Sequence, residues 1–125
     1  MKTFIKNLFL LPALIVSLNL LLTGRAPAQN ITTLHSFTAG TGSFPSVTNS
    51  EGANPFGQLL LSGDTLYGAA ITGGSSGDGT VFKINTDSSG FTNLYNFTGG
   101  NDGANPEAGL VLSGNTLYGT ADQGG

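Results

Sequence analysis

Short apolar clusters separated by glycine-rich polar segments recur along the chain from residue 34 onward. This part of the chain contains no segment in which apolar residues follow the helical spacing of three and four positions. Clusters of four to eight residues bounded by Gly, Asn, Asp and Ser are typical of strands joined by turns. The pattern therefore predicts an all-β fold.

The clusters belong to an internal repeat. Gly52–Gly74 aligns with Gly103–Gly125 at an offset of 51, with 15 of 23 positions identical and no gap. Upstream, Leu34–Gly40 matches Leu94–Gly100 at an offset of 60. The nine-residue difference is an insertion, Thr41–Asn49, in the first copy, and we expect it to form a surface loop because the rest stays in register.

One complete copy is predicted to form a four-stranded antiparallel meander. Its strands are predicted at Gly57–Ser62, Thr65–Ala70, Thr80–Asn85 and Phe91–Thr98, and the first two recur at Gly109–Ser113 and Thr116–Ala121. The two-residue linkers Gly63-Asp64 and Gly114-Asn115 favour tight hairpins, because glycine accepts the positive φ that such turns need.

Both faces of this sheet carry bulky side chains. Leu66 and Tyr67 are adjacent, as are Val81 and Phe82, and adjacent strand residues point to opposite faces. A stack of similar sheets would cover both faces, and four strands at a period near 50 indicate β-propeller-like blades. A parallel β-solenoid is the structural alternative, although its repeats are usually shorter and lack internal hairpins.

These patterns divide the chain into four segments. Residues 1–28 are interpreted as a signal peptide, residues 29–56 as a partial first unit with the insertion 41–49, residues 57–106 as a complete four-stranded repeat, and residues 107–125 as a truncated repeat.

The N-terminus has the three parts of a secretory signal peptide. Two lysines precede the apolar run Leu8–Leu22, and small residues follow at Ala26 and Ala28. This arrangement predicts cleavage between Ala28 and Gln29. The run is shorter than the roughly 20 residues that cross a bilayer, so we expect no membrane span after cleavage and an extracellular location.

Cleavage would leave a strongly acidic protein of 97 residues. Lys83 is then the single cation against seven carboxylates, a formal net charge of −6, which argues against nucleic acid as a partner. The chain has no cysteine, which excludes disulfides, thiol chemistry and a lipid-anchored start.

Few residues carry candidate chemistry. His35, the single histidine, aligns with Tyr95, which favours packing over catalysis. Glu51 and Asp102 occupy one repeat position and are candidates for weak calcium binding, although acidic residues beside glycine are also ordinary turn residues. We identify no catalytic residue and expect no cofactor. Seven aromatic residues suit packing between blades or a sugar-binding surface: Phe37, Tyr67, Phe82, Phe91, Tyr95, Phe97 and Tyr118.

The segment Leu94–Gly125, with Gly79–Asn85 of the preceding copy, resembles the tandem repeat called GloVer. Proteins with this repeat are bacterial, secreted or surface-displayed, and are described as choice-of-anchor proteins. The resemblance covers the chain from Leu34 onward, although Gly57–Leu60 departs from the Gly-Leu-Val run seen at residues 109–111. It implies location and architecture but no reaction.

Two functions remain open from the sequence. The first is a secreted or cell-surface repeat scaffold with no biochemical activity of its own, which binds an unknown macromolecule or a glycan. The alternative is an extracellular propeller-type enzyme acting on polysaccharide, with its active site in further repeats. An enzyme breaks its repeat with a unique acid or base, whereas the two copies differ mostly conservatively, except at Phe56 against Glu107 and Ile71 against Asp122.

Overall fold

The computed structural model describes residues 29–43 and 47–125. The predicted signal peptide and Ala28 lie outside the described residues, as do residues 44–46 of the insertion. The described part is all-β and contains six strands: β1 (Ala53–Ser62), β2 (Thr65–Thr72), β3 (Thr80–Asn85), β4 (Thr92–Asn96), β5 (Val111–Ser113) and β6 (Thr116–Tyr118).

Strands β1 to β4 form one antiparallel sheet in chain order, which confirms the predicted meander. The β1–β2 hairpin closes with Ser62 opposite Thr65. Gly63 has φ +57°, whereas Asp64 does not lie in the positive-φ region. A positive φ at the first central residue alone is the feature of a type II′ turn, which explains why glycine stands first.

The strand limits differ from the prediction at β1. This strand begins at Ala53 rather than Gly57, because Ala53 pairs with Thr72 and the ladder continues through Phe56. The register then shifts between Phe56 and Leu60, where Gly57 adopts φ +78°. A β-bulge at this glycine absorbs the irregularity and lets the strand continue.

Strands β5 and β6 form a separate two-stranded sheet. Gly114 repeats the turn of Gly63 with φ +58°, so both copies close their hairpin in the same way. Both strands are shorter than predicted, since β6 ends at Tyr118 whereas the equivalent β2 continues to Thr72. The reason is that β2 is paired with a neighbour along both edges, whereas β6 has only β5 beside it in the described chain.

The core lies on one face of the four-stranded sheet. Phe82 and Ile84 of β3 are buried there, and the rings of Phe37 and Phe91 lie 5.1 and 5.6 Å from that of Phe82. On the opposite face Tyr95 is 46% exposed. The two sheets of the described residues are open, and a propeller-like arrangement stays a prediction.

Candidate functional site: a repeated carboxylate and an aromatic groove

The carboxylate of Glu51 fixes the chain segment that precedes the insertion. Its Oε2 accepts a hydrogen bond from the amide nitrogen of Thr38 at 3.0 Å and lies 3.5 Å from Nε2 of His35. The amide of Thr38 stabilises the charged carboxylate and, with a smaller contribution from His35, lowers the pKa of Glu51.

Asp102 makes the corresponding contacts in the second copy. Its Oδ2 accepts hydrogen bonds from the amide nitrogen of Thr98 and from the hydroxyl of Tyr95, both at 3.0 Å. Its Oδ1 accepts a hydrogen bond of 2.6 Å from Oγ1 of Thr98. The hydroxyl of Thr98 is the main reason why the pKa of Asp102 is lowered, and the same carboxylate raises the pKa of Tyr95.

These two networks are equivalent residue for residue. Thr38 corresponds to Thr98 at the offset of 60, and Glu51 corresponds to Asp102 at the offset of 51. The nine-residue insertion lies between Thr38 and Glu51, yet the Glu51 carboxylate accepts a hydrogen bond from the threonine amide that is equivalent to the one bonded by Asp102. The position therefore ties the start of each copy to the Gly-Ala-Asn-Pro segment that follows the carboxylate.

The structure places Glu51 and Asp102 in separate copies, each held by its own threonine. No group of three His, Asp or Glu side chains among the described residues is arranged to hold a metal ion. Weak calcium binding at either carboxylate stays a hypothesis from the sequence, which a calcium titration can test.

Asn49, the last residue of the insertion, makes a contact that the sequence did not indicate. Its Oδ1 accepts hydrogen bonds from the amide nitrogens of Gly52 at 2.7 Å and Gly74 at 3.1 Å. In the second copy the backbone oxygen of Gly100 accepts from the equivalent amides of Gly103 and Gly125, at 3.1 and 2.9 Å. A side-chain amide therefore replaces a backbone carbonyl where the insertion displaces the chain.

The described ends of the insertion pair with each other. Thr41 and Thr48 exchange two backbone hydrogen bonds, of 2.9 and 3.0 Å. The chain thus leaves and re-enters the repeat at nearly the same point, and Nδ2 of Asn49 adds a 2.9 Å bond to the carbonyl of Thr38. This geometry explains how nine residues are added without disturbing the contacts on either side.

His35 lies in the aromatic core, in line with the packing interpretation. Its ring is parallel to that of Phe91, with centroids 3.8 Å apart, and meets the edge of Phe37 at 5.0 Å. Its counterpart Tyr95 contacts Phe97 at 5.1 Å. The same strand position thus presents an aromatic body with a polar tip in both copies.

A groove of about 390 Å³ lies between the second face of the four-stranded sheet and the β5–β6 hairpin. We call it the aromatic groove. It is lined by Val81, Leu94, Tyr95, Phe97, Asp102, Pro106, Leu110, Leu117, Tyr118, Gly119, Thr120 and Ala121. Six of the seven aromatic residues therefore fall into two groups: Phe37, Phe82 and Phe91 pack in the core, whereas Tyr95, Phe97 and Tyr118 line this groove.

In the described part of the chain, no helix is long and apolar enough to cross a membrane.

Comparison with known proteins places the chain in a repeat family. The family model described as the Gloeobacter/Verrucomicrobia repeat matches residues 23–125. No curated protein and no solved structure matches the chain. The matched region includes both copies of the repeat and all six strands, so the chain belongs to the Gloeobacter/Verrucomicrobia repeat family, GloVer.

Proposed function

We propose that this protein is a secreted or cell-surface repeat scaffold, built of β-propeller-like blades, that binds another macromolecule or a glycan and catalyses no reaction. The observation that carries the proposal is the repeated carboxylate. Glu51 and Asp102 each accept a hydrogen bond of 3.0 Å from the amide of the equivalent threonine. Residues that perform one structural task in every copy are typical of repeat scaffolds.

The comparison of the two copies of the repeat also argues against an enzyme. Catalysis requires a unique acid, base or nucleophile placed where the repeat is broken. His35 is the single histidine, but its ring is stacked on Phe91 and its position is taken by Tyr95 in the next copy. One of the two non-conservative exchanges replaces Phe56 by Glu107, and both residues are exposed, as expected for variation at the surface.

Exposed apolar side chains support a binding role. Phe56, Leu61 and Val111 are 57%, 59% and 63% exposed. Covering such exposed apolar side chains with a partner is favourable, because it removes apolar surface from water. After cleavage the protein would carry a net charge of −6, which repels polyanions and so disfavours them as partners.

The proposal can be tested by expressing the full chain in a bacterial host and following its export. The exported protein is then mixed with insoluble cellulose, chitin and peptidoglycan, and both co-sedimentation and the release of reducing sugars are measured. A scaffold co-sediments with a polymer and releases no sugar. Release of reducing sugars by the exported protein would favour the polysaccharide enzyme instead.

A further inference from the structure

We propose that the outer edge of β6 accepts an added β-strand with the sequence pattern of β3, and that the phenylalanine of this strand enters the aromatic groove over Gly119. The strand is supplied by a further copy of the same repeat. This inference goes beyond the proposed function, because it names the occupant of one surface and holds whether or not the scaffold also binds a glycan.

In the first copy, a phenylalanine ring lies over Gly68, the glycine equivalent to Gly119. Phe82 of β3 pairs with Gly68 of β2, and its ring lies directly over that glycine. A methyl group added to Gly68 would come within 2.6 Å of both Cζ of Phe82 and Cδ2 of Leu59. The ring of Phe37 completes the site at a centroid distance of 5.1 Å.

The second copy repeats the walls of this site. Leu110, Gly119 and Phe97 correspond to Leu59, Gly68 and Phe37, and all three line the aromatic groove. A methyl group added to Gly119 would approach Cδ2 of Leu110 at 2.8 Å, and no other described atom outside its chain neighbours lies within 4 Å of it. The wall of leucine, glycine and phenylalanine is therefore present, whereas the ring that it encloses in the first copy has no counterpart among the described residues.

The backbone next to this site is open to strand addition. In the first copy β2 pairs with β3 from Thr65 to Ala70. In the described chain β6 pairs only with β5, so its second edge presents N–H and C=O groups to an incoming strand. Main-chain hydrogen bonds along such an edge supply affinity, and a pocket for an alternate side chain supplies specificity.

The chemistry of the groove favours a strand over a sugar. The groove has about 390 Å³ and its lining is mainly aliphatic and aromatic. Its carboxylate, Asp102, is already bonded to Thr98 and Tyr95, and so offers little to the hydroxyl groups of a glycan. By contrast, β3 places Thr80, Phe82 and Ile84 on one buried face, which matches an apolar groove beside a strand edge.

The test adds a synthetic peptide with the sequence of residues 77–86 to the full chain. Backbone NMR and amide hydrogen exchange report on residues 117–121. We expect saturable shifts at Gly119 and slower exchange along this segment. A peptide with alanine in place of its phenylalanine should bind at least tenfold more weakly. Gly119→Ala, which puts a methyl group where the ring would lie, should abolish binding.

Two controls keep the outcome interpretable. Ser113→Ala, on the exposed part of β5, should leave peptide binding unchanged. Slow exchange of the β2 amides in every variant shows that the four-stranded sheet is intact. To remove the entropic cost of association, the same strand can be appended in register after Gly125 by repeating residues 75–106.

Protection of residues 117–121 in that extended chain, lost when its new phenylalanine becomes alanine, would support the proposal. Unchanged exchange in both formats, or binding that does not depend on the phenylalanine, would overturn it. So would shifts of the groove resonances by soluble oligosaccharides when the peptide produces none.

Discussion

Phe82 lies so close over Gly68 that a methyl group on the glycine would come within 2.6 Å of the ring. Gly68 itself is buried and has no positive φ, so the absence of a side chain is required by packing alone. Because β3 is a central strand, the ring cannot move away without disturbing its pairing with β2. We expect Gly68→Ala to lower the free energy of unfolding by about 1–3 kcal/mol, the usual cost of overpacking.

The matched control for this change is Gly119→Ala, at the equivalent position of the second copy. Its methyl group meets only the end of the Leu110 side chain, which can rotate aside. Chemical denaturation should show a loss for Gly68→Ala and a change within about 0.5 kcal/mol for Gly119→Ala. Equal effects at the two glycines would show that Phe82 does not determine the cost.

The turns and the central strand could be predicted from the sequence because each depends on local chemistry. Glycine first in a two-residue linker specifies the turn at Gly63 and Gly114, and both adopt nearly the same φ. The bounds of β3 were predicted correctly at both ends, since Gly79 and the polar segment after Asn85 delimit it. The repeat offset supplied the correspondence between copies.

Features that depend on distant partners could not be predicted. The early start of β1 depends on the pairing of Ala53 with Thr72 and on a bulge near Gly57. The role of Asn49 depends on two glycine amides, one of them 25 residues away. The aromatic groove brings Tyr95 of one copy to the same lining as Leu117 of the next, and no local pattern reports which residues of different strands face each other.

Acid should weaken the contact between Glu51 and Thr38. The folded pKa of Glu51 is lowered chiefly by the Thr38 amide, so its contribution to stability is complete above the unfolded value of about 4.3. That contribution is lost as the pH falls through the lower folded pKa. Glu51→Gln should therefore flatten the dependence of unfolding on pH below about 4.5 and cost about 0.5–1.5 kcal/mol at pH 7.

The control for this prediction is Asp64→Asn, which also removes one negative charge and installs the residue present at position 115. Thermal melts between pH 3 and pH 7 would compare both variants with the wild-type chain. If the two variants changed the pH dependence equally, general charge effects rather than the contact with Thr38 would be responsible.

Calcium offers a separate test of the repeated carboxylate. Calcium takes about 6–8 oxygen ligands, whereas both oxygens of Asp102 already accept hydrogen bonds from Thr98 or Tyr95. We therefore expect millimolar calcium to leave the Tm unchanged. A rise in Tm that disappears in Glu51→Gln and Asp102→Asn, but not in Asp64→Asn, would establish the calcium site that the sequence indicated.

Asn49 allows the cost of the insertion to be measured. Its Oδ1 accepts hydrogen bonds from the amides of Gly52 and Gly74, and both glycines are buried. Asn49→Ala leaves these donors without a partner, and each unsatisfied buried group costs about 1–3 kcal/mol. We expect a total loss of about 2–4 kcal/mol by chemical denaturation, together with faster amide exchange at both glycines.

Asn49→Asp separates the acceptor from the donor. It keeps an oxygen for the two glycine amides but removes the Nδ2 bonds to the carbonyls of Thr38 and Gly52, so its cost should fall between those of the wild-type chain and Asn49→Ala. Asn101→Ala, at an exposed turn position, serves as the control and should be nearly neutral. Deleting residues 41–49 should restore the arrangement of the second copy, because Gly40 would then supply its backbone carbonyl as Gly100 does. A deletion variant less stable than Asn49→Ala would contradict this account of the insertion.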